Sequence, residues 1–299
     1  FGASEYSRSF HVIRGTIDDN EVPDDALRAF EQRSVADKSG IDTPTFLMQG
    51  WTDSLFNPTE ALRTYRKLQD AGTESRLLFY KGGHDLSELT VEFSDRGRMN
   101  SHAVRWMDQH VRGKNTRVPA VSNYLPQRDR WREDGGFPPA DTAVETYEFA
   151  NGGPASKELE QGWGWFPDEA VTYEWTADED IEVIGEPEIE LSVDVAGPEA
   201  RLFFEVFHDG DNINGMDQPL LLDGSGRHEV SVTYPAIQEF VNEGDTVELE
   251  ISVTNRWYLD SRESDGVTID ARNSRLHLPQ RPDPNPPEDE DEGDDEDCW

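Results

Sequence analysis

The chain has 299 residues, with 63 Asp and Glu against 27 Lys and Arg, for a formal net charge of −36. A surface this acidic repels nucleic acid and anionic membranes, because phosphate binding needs Lys/Arg patches. No run of about 18 apolar residues occurs, which excludes a transmembrane helix. The single cysteine, Cys298, excludes an intrachain disulfide and any CxxC metal or redox spacing.

The length is sufficient for two domains with proper cores. Just five basic residues are lysines (Lys38, Lys67, Lys81, Lys114 and Lys157), and the acids are spread over the chain apart from a concentrated tail. That distribution reads as adaptation to a salty solvent, so the charge reports the medium more than the substrate. The chain begins at Phe1 and shows no signal peptide. It reads as a processed or N-terminally truncated polypeptide. Compartment is undecided, with cytoplasm slightly favoured over export, and a homo-oligomer stays open.

In chain order, residues 1–40 are polar and irregular, apart from a helical stretch, "DDALRAFEQRSV", with Leu27, Phe30 and Val35 on one side. The apolar run Thr45–Gln49 follows Pro44 and predicts a parallel strand covered on both faces. Asn57 caps and Pro58 opens the next helix, with Ala61, Leu62, Tyr65 and Leu68 at helical spacing and Gly72 as its terminating glycine. A second strand, "RLLFY" (76–80), runs into Gly82-Gly83-His84. A further helix from about Ser101 to Gly113 turns Ala103, Trp106, Met107 and His110 or Val111 inward. Strand–helix–strand–helix order predicts α/β structure with parallel strands.

From about residue 118 the texture changes. "PQRDRWREDGGFPPAD" reads as a Pro/Gly-rich connector. Short alternating segments follow: "VETYEF", "AVTYEW", "EIELSVDV", "RLFFEVFH", "HEVSVTY" and "TVELEISVT". They predict an antiparallel β-sandwich of jelly-roll type, with no helix beyond a turn near "AIQEFV". Beyond Pro279 the sequence is too polar and charged to pack.

Two residues stand out chemically. Asp53 and His84 follow successive strands, 31 positions apart, at what parallel pairing makes one sheet edge. Open α/β sheets place their sites there. A carboxylate at that edge holds an imidazole in one tautomer, and the imidazole then takes a proton from a serine. Each residue alone reads more readily as loop chemistry; together they form a candidate catalytic pair. Asp85 reads as a turn or surface acid.

The segments "IDTPTFLMQGWTDSLFNPTEALRTYRKLQDAG", "RLLFYKGGHD" and "AVRWMDQHVRGK" resemble the end of the α/β-hydrolase domain of X-prolyl dipeptidyl-peptidase and cocaine-esterase-like serine hydrolases. "WREDGGFPP" and "VIGEPEIELSVDV" resemble that family's entry into its C-terminal β domain and an early strand of it. The resemblance covers roughly residues 34–278, and order and spacing carry it more than any single motif. It implies that Asp53 is the triad aspartate and His84 the triad histidine. Trp106, Asp108 and Arg112-Gly113 match the helix that follows.

The departure is the nucleophile. The family's G-x-S-x-G elbow has no counterpart here: Gly2 and Ser4 lack the second glycine and a preceding strand, and Ser54 reads as a turn residue. The expected organisation is a partial α/β-hydrolase domain over 1–130, a jelly-roll β-sandwich over 131–280 and an acidic disordered tail over 281–299. The expected function is cleavage of a peptide or acyl ester bond in a small substrate, by a triad whose serine lies outside this chain, leaving the chain alone inactive. No cofactor is called for. The loop "HDGDNINGMD" (208–217) fails the EF-hand pattern and reads as a polar hairpin, with no metal site. Trp163, Trp165 and Phe166 read as packing between domains. Two alternatives stand beside the enzyme: a non-catalytic pseudo-hydrolase with a jelly-roll binding module, and a carbohydrate-binding sandwich with Trp163 and Trp165 as its platform.

Overall fold

The structure, a computed structural model, describes residues 22–34, 38, 40–83, 93–160, 169–255 and 266–283. The expected disordered tail, 281–299, begins too early: Arg281 and Pro282 continue a strand, and Arg281 and Asp283 are buried. The rest of that tail, Val35, His84 and the 163–166 aromatics lie outside the described residues.

The first part is a four-stranded sheet in the order β1 (Thr45–Gly50), β2 (Ser75–Tyr80), β3 (Val121–Leu125), β4 (Arg130–Asp134). The first three strands are parallel and β4 returns antiparallel, with Val121 opposite Asp134. The Pro/Gly-rich stretch after residue 125 is therefore not a plain connector. Its Arg130–Asp134 segment closes the sheet, after a 3₁₀ turn at Pro126–Arg128 in which Asp129 takes a positive φ of 46°.

Four helices lie among the described residues: α1 (Asp24–Glu31), α2 (Pro58–Asp70), α3 (Phe93–His110) and the short α4 (Phe149–Gly152). Asn57 caps α2 by accepting the Thr59 N–H at 3.2 Å, and Pro58 occupies the first turn where its missing N–H costs nothing. At the other end Gly72 takes φ +72°, its N–H reaches the Gln69 carbonyl, and the Thr73 N–H reaches the Leu68 carbonyl, which terminates the helix in the left-handed glycine manner. Leu62 and Tyr65 then pack on Leu77, Phe79 and Trp51.

Two sequence expectations fail here. The face of α1 bearing Leu27 and Phe30 is exposed, and Ala26 is its buried residue. Helix α3 starts earlier than expected and buries His102 and Trp106, while Met107 and Val111 are exposed. Helical spacing selected Trp106 correctly but could not say on which side of it the sheet lies. Strand β1 is likewise less covered than its apolar run suggested: Met48 is exposed, because β1 ends the sheet's order, whereas β2 is flanked on both sides and mostly buried.

The second part is a β-sandwich. One sheet has five strands, in the order β11 (Asp211–Asn212), β10 (Glu199–His208), β15 (Thr246–Ser252), β7 (Ala170–Thr176), with β12 (Gln218–Asp223) also on β10. The other has eight, in the order β14 (Ile237–Val241), β8 (Ile181–Gly185), β17 (Arg275–Pro282), β9 (Glu188–Val195), β16 (Val267–Asp270), β6 (Ser156–Leu159), with β13 (Gly226–Thr233) on β9 and β5 (Ala143–Glu148) on β17. All six expected strand segments are present. Period-two alternation, as in Val247, Leu249 and Ile251 of β15, turns one face inward. These meet Ile189, Leu191 and Val193 of the facing sheet in one continuous core. The "AIQEFV" stretch is strand β14, not a helical turn: Ile237, Phe240 and Val241 are buried by pairing with β8. Among the described residues no helix is long and apolar enough to cross a membrane.

The two parts are joined through a buried ionic cluster. Glu182 of β8 is fully buried and receives Arg132 of β4 through both carboxylate oxygens, at 2.7 and 2.8 Å, and Arg281 of β17 at 2.7 and 2.8 Å. Arg132 also spans both oxygens of Asp134 at 3.0 Å, and Arg281 reaches Asp141 at 2.8 Å. Beside it the Ala236 N–H, from the sandwich, donates to the Thr59 hydroxyl at 3.0 Å, and Ala236 itself packs into the Trp51 cluster.

Candidate functional site

Strands β1 and β2 pair in parallel with Gly50 opposite Tyr80, so both chains leave the sheet at the same edge. The Trp51 N–H donates to the Tyr80 carbonyl at 2.9 Å and the Thr52 N–H to the Gly82 carbonyl at 3.2 Å, which extends the ladder past the strand ends. A side chain at Gly50 would not survive this approach: an added Cβ would stand 1.9 Å from the Gly82 carbonyl oxygen. Gly82 itself has φ +145°, a conformation that favours glycine.

Trp51 is fully buried and stacks on Phe79 with ring centroids 4.1 Å apart. Its indole N–H donates to the Asn123 side-chain Oδ1 at 2.9 Å, tying the end of β1 across β2 to β3. A buried indole N–H needs such a partner.

Asp53 follows two residues later and is 7% exposed, low enough that its carboxylate is shielded from solvent. Its Oδ1 accepts the N–H groups of Leu55, at 3.2 Å, and Phe56, at 2.8 Å. This Asx-type turn fixes the side chain before Asn57 caps α2. Its charge reaches the Tyr80 hydroxyl, whose pKa is raised first by burial and second by Asp53. Ser54 is exposed in the same turn.

The structure thus places Asp53 one residue after Thr52, which is bound to the Gly82 carbonyl two positions before His84. His84 and Asp85 lie outside the described residues. Sequence reasoning missed the supports: Gly50 as a steric requirement, and Asn123 as the partner of Trp51. Neither has a local signal, because each acts across strands. The run of glycines at 50, 82 and 83 was the one available hint.

The 208–217 loop is a tight hairpin in which His208 ends β10 and Asp209 takes φ +47°. The His208 ring lies between Glu239, 3.2 Å from Nδ1, and Asp245, 3.1 Å from Nε2. These carboxylates, Glu239 first, raise its pKa to about 9, against the opposing effect of burial. The His208, Asp209 and Asp245 donor atoms lie within 4.8 Å of one another, a spacing that would suit a cation. Both ring nitrogens already face carboxylates, so the arrangement is that of an ion-paired imidazolium.

With that geometry in hand, known proteins give the context. No protein-family profile matches the chain. Over 160 residues, 48% of this chain, it is 27% identical to the cocaine esterase of Rhodococcus sp. (strain MB1 Bresler), of which it spans 26%. Its fold is similar to that of a CocE/NonD family hydrolase from Staphylococcus aureus, with a TM-score of 0.62, 14% identity, and coverage of 81% of this chain and 54% of that one. An alpha-amino acid ester hydrolase matches at TM-score 0.60 and 13% identity, over 81% and 56% of the two chains.

The chain is similar to ester hydrolases.

It spans about a quarter of the curated relative and a little over half of each structure. The resemblance read from the sequence is supported at the level of the cocaine-esterase-like hydrolases, by relatedness to one such enzyme and by a shared α/β-plus-sandwich fold.

Proposed function

We propose that this chain is the C-terminal part of a serine hydrolase that cleaves an acyl ester, with Asp53 and His84 as two members of a Ser-His-Asp triad. The nucleophilic serine and the oxyanion-binding groups come from polypeptide outside these residues. The carrying observation is the seat of Asp53: a shielded carboxylate, one oxygen held by two backbone N–H groups, at the edge where the neighbouring strand leads directly to His84.

The mechanism follows from that placement. Asp53 accepts a hydrogen bond from one ring nitrogen of His84, fixing its tautomer and stabilising the imidazolium. The other ring nitrogen removes the proton of the serine hydroxyl as it attacks the ester carbonyl, then returns it to the departing alkoxide. An ester substrate is favoured over a peptide after a penultimate proline by the sequence relationship to an esterase. The β-sandwich, read as a jelly roll, covers the site and shapes access; its Ala236 packs in the same cluster as Trp51. The division falls between β4 and β5 and not at the expected 130/131, which would cut β4 from the sheet it closes, and the acidic, lysine-poor surface suits a salt-rich solvent.

The test uses the full-length protein in high salt with a chromogenic acyl ester and an aminoacyl-proline anilide. Ester turnover that disappears in His84→Ala supports the reading. Preference for the anilide moves it to the peptidase side, and full activity in His84→Ala contradicts it.

A further inference from the structure

At the opposite end of the sheet from Asp53, a cavity of about 430 Å³ opens where Pro119 and Ala120 lead into β3. Its volume lies within the roughly 300–1,000 Å³ of small-molecule pockets. Arg105 from α3 and Arg117 from the segment after it line the cavity, together with Glu133, Asp134 and Gly135 of the β4 end.

Two arginines and two acids line the cavity, a balanced set in a strongly acidic chain. Glu133 is already bound by Arg98 at 2.7 Å, and both oxygens of Asp134 are spanned by Arg132 at 3.0 Å. Both acids thus have arginine partners outside the lining, Arg132 being shared with Glu182. Arg105 and Arg117 are exposed, and neither forms an ion pair or hydrogen bond through its guanidinium among the described residues. In a chain with 63 acidic residues, two arginines without an ion pair, lining a cavity whose acids have other arginine partners, are a local surplus of positive charge. The buried His102 senses Arg105: its pKa is lowered by burial first, then by Arg98 and Arg105, against the opposing effect of Glu133. The Thr116 hydroxyl donates to the Arg105 carbonyl at 2.6 Å, which holds the Arg117 segment against the helix.

We infer that this cavity is a binding site for a small polyanion, a polycarboxylate or a phosphate, gripped between the Arg105 and Arg117 guanidinium groups. Each guanidinium offers a planar pair of N–H donors matched to carboxylate or phosphate oxygens. The site is separate from the Asp53 edge and does not depend on the reading of that edge as catalytic.

Calorimetric titration of the full-length protein with citrate, and separately with inorganic phosphate, tests this at fixed ionic strength. Saturable binding of either anion is expected, and which one binds names the source of the oxygens. Arg105→Gln/Arg117→Gln is expected to weaken that binding by about tenfold or more. Arg28→Gln, an exposed arginine on α1, is expected to leave it unchanged. Both substitutions are at the surface, so the variants fold. Absence of saturable binding for both anions overturns the inference, as does equal affinity in the double variant or equal weakening by Arg28→Gln.

Discussion

Gly50 and Gly82 meet so closely that a single added carbon on Gly50 would lie 1.9 Å from the Gly82 carbonyl oxygen. The ends of β1 and β2 are brought together by the absence of side chains there, and Asp53 lies three residues past that contact. Gly50→Ala is therefore expected to push the two exits apart. The clash is with backbone, which cannot rotate away, so destabilisation of about 1–3 kcal/mol is expected. Chemical denaturation reads that loss. In the full-length protein the proposed ester turnover should fall further than the folded fraction does, since a displacement of about 1 Å costs on the order of 10²-fold in rate.

The Trp51–Asn123 hydrogen bond crosses β2 to hold the same turn. Trp51→Phe keeps the ring's stacking on Phe79 but leaves the Asn123 oxygen unpaired in a buried site. A loss of about 1–3 kcal/mol is expected. Trp51→Phe combined with Asn123→Leu should cost less than the sum of the two single changes, because the double variant buries no orphaned group. Additive losses in a double-mutant cycle would show that the bond is not what holds the turn.

His208 gives a pH signature. Its folded-state pKa is about 9 against an ordinary 6.5. The charged ring between Glu239 and Asp245 thus stabilises the fold in full below about pH 6.5, and this contribution is lost as pH rises through 9. His208→Gln is expected to cost about 1–3 kcal/mol at pH 6 and close to nothing above pH 10. Urea unfolding of both proteins at the two pH values measures the difference; a penalty that does not shrink at high pH would contradict the assignment.

Glu182 is the buried carboxylate at which the sheet and the sandwich join. Glu182→Gln leaves Arg132 and Arg281 without their shared counter-charge in a dry site. Breaking a buried ion pair from one side costs about 3–5 kcal/mol. Because the cluster spans both parts, calorimetry should resolve two unfolding transitions in the variant where the parent protein shows one. A single transition shifted as a whole would mean that other contacts, such as Thr59 with Ala236, keep the parts coupled.

Local chemistry made much of this legible in advance. Asn57-Pro58 and Gly72 marked both ends of α2, and alternating residues such as Val247, Leu249 and Ile251 marked the sandwich strands. What stayed hidden depends on partners distant in sequence. Arg130–Asp134 looked like a linker because it sits in a Pro/Gly-rich stretch, yet it pairs with β3, and its Arg132 is bound by Glu182, 50 positions away. The "AIQEFV" segment has no strand-like alternation, since pairing with β8 buries Ile237, Phe240 and Val241 together. Met107 and Val111 seemed core residues by spacing, but α3 presents His102 and Trp106 to the sheet instead. At the candidate site Asp53 could be picked out by its place after a strand, while Gly50 and Asn123 could not, because what they do is done to residues on other strands.

Whether Asp53 serves a catalytic histidine is read by ester hydrolysis in the full-length protein and in its Asp53→Asn variant, which preserves the side chain's size and much of its turn hydrogen bonding. A loss of kcat on the order of 10³- to 10⁴-fold is expected, with unfolding stability nearly unchanged. Turnover within about twofold of the parent protein, a difference below ~0.5 kcal/mol, would contradict that role.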